Sequence, residues 1–81
     1  MQLKPFLLDM WLAALPSPAK DILRTVAARR GAVPIEDVGA ELGLATRGGH
    51  WNAGVSMLRT NNLIAITPRG FELGSALSAA P

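Results

Sequence analysis

The chain has 81 residues, 49% of them hydrophobic and 17% charged, with a formal net charge of +2, no cysteine and one histidine. That much apolar surface can offset chain entropy, which excludes a disordered chain, and the length suits one domain with a thin core. Without cysteine there is no disulfide framework or thiolate metal site, a single histidine builds neither a metal centre nor a catalytic relay, and a cytoplasmic setting is expected.

The opening has the outline of a secretory leader, with Lys4 before the apolar run Phe6 to Leu15 and small residues from Ser17 to Ala19. Asp9 argues against it, because a carboxylate is costly in a signal core, and the run is too short to span a bilayer. No membrane association is therefore expected. Pro5 suits a first helical turn, and Phe6, Leu7, Leu8, Met10, Trp11, Leu12 and Leu15 place apolar groups on more than one face of the helix that follows. Such a helix must be covered on two sides. If Leu8, Trp11 and Leu12 stayed exposed they would mark a homodimer or protein-partner surface.

Pro16-Ser17-Pro18 stops this helix and starts the next, with Ser17 as the expected N-cap, Pro18 at the first helical position, and Ile22, Leu23, Val26 and Ala27 as the buried stripe. Arg29, Arg30 and Gly31 suit its end, cations meeting the negative dipole and glycine a left-handed cap. Val33 precedes a proline and so reads as extended, with room for a short strand. Glu36 and Asp37 then favour a helix N-terminus, Ile35, Val38 and Leu42 mark its inner face, and Gly43 ends it.

Thr46 is the expected cap of a further helix with Trp51, Val55 and Leu58 facing inward and His50, Asn52, Ser56, Arg59 and Thr60 outward. Asn61-Asn62 forms a turn, and Leu63 to Ile66 reads as a strand. Residues 67–77 carry two readings. Thr67-Pro68 can open a last helix containing Phe71, Leu73 and Leu77, the preferred reading, or Pro68-Arg69-Gly70 can be a hairpin tip returning through Phe71-Glu72-Leu73. Residues 78–81 have no evident anchor and are expected to fray.

The order Val38-Gly39-Ala40-Glu41-Leu42-Gly43-Leu44 is that of a helix-turn-helix spanning about Ile35 to Asn61. Gly39 allows close coverage, and Gly43 can take the positive φ of a sharp turn between helices. A plain helical hairpin in a small bundle is the competing reading.

Leu42 to Asn52, followed by Ser56-Met57-Leu58-Arg59 and Leu63-Ile64, resembles the C-terminal winged-helix modules of some phage and bacterial ATPases, through a G-x-x-x-R-G-G-x-aromatic-N pattern. Ile66-Thr67-Pro68-Arg69-Gly70 resembles the L-T-P-x-G step of MarR-type regulators. The resemblances cover about Pro16 to Leu77 and imply a mainly α winged helix-turn-helix, here with a short or minimal β wing and an extra N-terminal apolar helix. They also imply double-stranded DNA as partner. Two departures stand out: the turn after Gly43 reads about two residues longer than the commonest spacing, which makes Trp51 and Val55 the inward pair, and Arg69 is the only cation a wing could offer.

The whole chain thus reads as one domain, with residues 1–15 as an added helix, 16–77 as the helix-turn-helix core and 78–81 as tail. Candidate nucleic-acid contacts are Arg47, Gly49, His50, Asn52, Ser56, Arg59 and Arg69. Of these, Gly49 with Gly48 can let backbone approach a phosphate or simply belong to the turn, and the arginines can meet phosphate or remain solvated. Trp51 reads as core. No nucleophile, base and acid assemble, and no phosphate-binding loop or paired carboxylates occur, so neither catalysis nor a cofactor is expected.

Overall fold

A computed structural model describes residues 2–3, 5–29 and 31–79. Lys4, Arg30, Ala80 and Pro81, which figure in the expectations above, lie outside these residues, as does the side chain of Phe6. In chain order the elements are β1 (Gln2–Leu3), α1 (Pro5–Ala14), α2 (Ala19–Ala28), α3 (Ile35–Leu42), α4 (Gly49–Thr60), β2 (Ile64–Thr67), β3 (Gly70–Leu73) and β4 (Ser78–Ala79). The fold is mainly α, a winged-helix-like arrangement of α2, α3 and α4 followed by an antiparallel hairpin.

The core forms where α2, α3, α4 and the hairpin converge. Ile22, Leu23 and Val26 from α2, Val38 from α3, Trp51 and Leu58 from α4, Ile64 and Phe71 from the hairpin, and Leu63 and Leu77 beside it are all buried. The expected three- and four-residue spacings therefore mark the inner faces correctly. Trp51 and Phe71 stack at a tilt with ring centroids 6.2 Å apart, joining the last long helix to the sheet.

Helix ends are decided by backbone geometry more than by side-chain caps. Pro18, not Ser17, occupies the N-cap of α2, and the Ser17 hydroxyl instead lies 3.3 Å from an Asp21 carboxylate oxygen. With Pro18 already helical at φ −88° and ψ −2°, the Ser17 side chain stands one residue too early to cap α2. That helix ends at Ala28, and Arg29 continues as extended chain whose guanidinium pairs with Glu41 at 2.6 Å. At the end of α3, Gly43 takes φ +67°, its N–H bonding the Ala40 carbonyl while that of Leu44 bonds Gly39. This is the paired hydrogen-bond closure of a left-handed helix cap.

The same closure recurs at the end of α4. Asn62 has φ +57°, its N–H donates to Arg59, and the N–H of Leu63 donates to Leu58. Leu58 and Leu63 are both fully buried, so the turn also makes the apolar contact that usually accompanies this cap.

Three further expectations are corrected. Thr46 does not cap α4, which starts at Gly49 behind Gly48 at φ +94°, with no side-chain cap. Thr46 instead covers Gly39 together with the Leu44 carbonyl: a Cβ on Gly39 would stand 2.3 Å from the threonine methyl carbon. The preferred helix over 67–77 is absent: Thr67 ends β2 and Gly70–Leu73 returns as the second strand of a hairpin with register Ile64↔Leu73, Ala65↔Glu72, Ile66↔Phe71 and Thr67↔Gly70. The strand wins because it places Phe71 on the core face and lets Val33 pair with it, as the extended residue before Pro34 can. Finally, Ser78 and Ala79 do not fray but pair with Leu3 and Gln2, the sheet hydrogen bonds supplying the anchor that no side chain announced.

Among its described side chains α1 packs against this core with one side, not the two expected. Leu7, Leu8, Trp11 and Leu12 are half-buried against it, Leu15 is buried, and Met10 is 54% exposed. Leu8, Trp11 and Leu12, the candidate partner face, thus spend much of their surface on their own domain.

Candidate nucleic-acid interface

The outward side of α4 is the one predicted. His50, Asn52, Ser56, Arg59 and Thr60 are all exposed, while Trp51 and Leu58 are buried and Val55 is half-buried. The helix stands so because Trp51, Gly54 and Leu58 recur at three and four residues and face α2 and the hairpin. Gly49 is the first residue of α4, is exposed, and has open space where a Cβ would sit.

The described arginines divide into two groups, and Lys20 of α2 is a further half-buried cation with no ion pair among the described residues. On the α2 side, Arg24 lies 3.7 Å from Asp21, and Arg29 pairs with Glu41. Arg47, before α4, Arg59, in its last turn, and Arg69, at the hairpin tip, are exposed and form no ion pair among the described residues. The described arginines without an ion pair therefore lie at both ends of α4 and on the wing.

Arg69 owes its position to a two-residue turn. Thr67 and Gly70 are paired, leaving Pro68-Arg69 as the loop, and the Thr67 hydroxyl accepts from the Arg69 N–H at 3.2 Å while donating to the Gly70 carbonyl at 3.1 Å. The wing is short but real, and Arg69 is its only cation.

Between α4 and the wing runs an open groove of about 390 Å³. Trp51 and Phe71 lie at its base, Val55 and Ile66 form apolar walls, and Asn52, Ser56 and Arg59 line its α4 side. Ile35 and Thr46 complete its lining. Ile66 shares the sheet face of buried Ile64, yet is 45% exposed because the hairpin overhangs the core there. Sequence reasoning named Asn52, Ser56 and Arg59 but missed Ile66. Its signal was the alternation of Ile64 with Ile66, which carries an apolar face past the core only if the chain is a hairpin.

The candidate residues do not all meet. Asn52, Ser56 and Arg59 share the groove, Gly49 and His50 lie at the start of α4, and Arg47 and Arg69 flank it from the preceding loop and the wing. In comparisons with protein-family models, curated proteins and solved structures, the chain matches none. Among the described residues no helix is long and apolar enough to cross a membrane.

Proposed function

We propose that this domain is a DNA-binding winged-helix module of a phage or bacterial regulator or targeting protein, with α4 as the helix that enters the major groove. The observation that carries the reading is the segregation of the described arginines: Arg47, Arg59 and Arg69 stand exposed around α4 and the wing with no ion pair among the described residues, whereas Arg24 and Arg29 are engaged elsewhere. An α-helix fits a major groove about 12 Å wide, and cations at its ends meet phosphates while the side chains between them face base edges. Asn52 and Ser56 are those side chains.

The deciding experiment is a titration with duplex DNA at several salt concentrations. Binding with a slope of about −3 to −5 in log K against log salt is expected if three to five phosphates are touched. No binding at low salt would refute the reading.

A second reading, a protein-interaction module such as a host-takeover or inhibitor protein on the same fold, draws support from one observation: Ile66 exposes apolar surface beside α4. Failure of duplex binding would favour it, with the same outward face as the contact. A homodimer through α1 would leave Met10 as its most exposed apolar group, and solution mass decides that case.

A further inference from the structure

We infer that the groove between α4 and the wing recognises an A·T-containing step in the major groove, with Asn52 on the adenine edge and the Val55 and Ile66 walls around the thymine methyl. The inference rests on the DNA-binding reading above and names the base step that reading leaves open. Asn52, Val55, Ser56 and Arg59 follow one another at intervals of three, one and three residues, so they form a single ridge along the groove side of α4.

The chemistry of that ridge is selective. A carboxamide both donates and accepts, which matches the N7 acceptor and N6 amino donor that adenine presents side by side. An aliphatic wall has one complementary feature in the major groove, the C5 methyl of thymine. Groups that favour G·C are placed differently: no acid lines the groove, and its single cation, Arg59, stands seven residues beyond Asn52, about 10 Å along the helix axis. At that distance Arg59 suits a phosphate at the groove edge. Charge complementarity also favours a polyanion over a small apolar ligand, because Asn52, Ser56 and Arg59 are exposed at the rim instead of converging, buried, on an enclosed site.

The test starts from a random-sequence duplex pool, bound to the protein at low salt, recovered and sequenced. Enrichment of an A·T-containing core is expected. Asn52→Ala should shrink the preference for adenine at its position about tenfold, the loss of one bidentate base contact. Replacing the matching thymine by uracil should weaken wild-type binding about fourfold, the worth of one buried methyl group. With Ile66→Asn, which removes one of the two apolar walls, the uracil effect should shrink to about half its size in free energy, that is, to about twofold. Both altered side chains are exposed, and circular dichroism checks that each variant folds. Recovery of duplexes with no A·T enrichment, or indifference to uracil, overturns this inference and leaves DNA binding standing. A pool that does not bind at all overturns both.

Discussion

Val33 and Phe71 exchange both of their backbone hydrogen bonds, each 2.8 Å long, and so tie the link before α3 to the second strand of the wing. Both side chains are about 1% exposed, so the same pair also joins the link to the core. This contact sets the wing beside α4, and with it the groove.

The close approach depends on Gly70, which has φ +125° and where a Cβ would stand 2.1 Å from the Val33 carbonyl oxygen. Gly70→Ala should destabilise the domain by roughly 2–4 kcal/mol, combining backbone strain with a clash against main chain that cannot rotate away. Thermal or urea unfolding measures this. A variant as stable as the parent would mean that the wing does not rest on Val33.

Trp51 is 5% exposed and stacks on Phe71. Trp51→Ala should cost about 3–5 kcal/mol, the usual range for truncating a buried large aromatic and a large share of a small domain's stability. Full stability in chemical denaturation would place Trp51 on the surface and make it a binding residue.

Deleting residues 1–15 removes the buried Leu15 and the half-buried Leu7, Leu8, Trp11 and Leu12. The remainder should unfold or melt far below the full chain, because the apolar surface of α2 and its neighbours would be opened to water. Circular dichroism together with solution mass checks it. A truncated protein that stays folded at the same mass would show α1 to be neither core cover nor dimer surface.

Arg47, Arg59 and Arg69 should each act on DNA affinity without regard to sequence. Arg47→Ala, Arg59→Ala and Arg69→Ala are each expected to weaken binding to specific and random duplexes alike, and to flatten the salt dependence by about one unit per lost phosphate contact. Arg24→Ala, which removes a cation already beside Asp21, should leave that slope unchanged. Equal effects at all four positions would point to net charge alone.

Much of the architecture was legible because its signals are local. The buried stripes of α2, α3 and α4 follow from residues three and four apart, and the turns at Gly43 and Asn62 follow from residue types that accept positive φ. The inward pair Trp51 and Val55 was legible, Trp51 being buried and Val55 half-buried, but the start of α4 was not: it lies at Gly49, two residues beyond the start that a Thr46 cap implied. Thr46 was misplaced because a threonine ahead of a helical stripe has the same appearance whether it caps the helix or covers Gly39.

By itself, then, the sequence determined the helices, their inner faces and the exposed row Asn52, Ser56 and Arg59, since a helix is specified by its own hydrogen bonds and periodicity. Only the tertiary structure decided residues 67–77. Pro68-Arg69-Gly70 lacks the Asn-Gly or Asp-Gly chemistry that marks a tight hairpin, and Phe71, Leu73 and Leu77 satisfy helical spacing as well as a strand. Burial of Phe71 against Trp51 and its pairing with Val33, 38 residues away in the chain, settled the choice. The groove could not be read earlier for the same reason: its two walls, Val55 and Ile66, become neighbours only after that long-range pairing turns the wing back over α4.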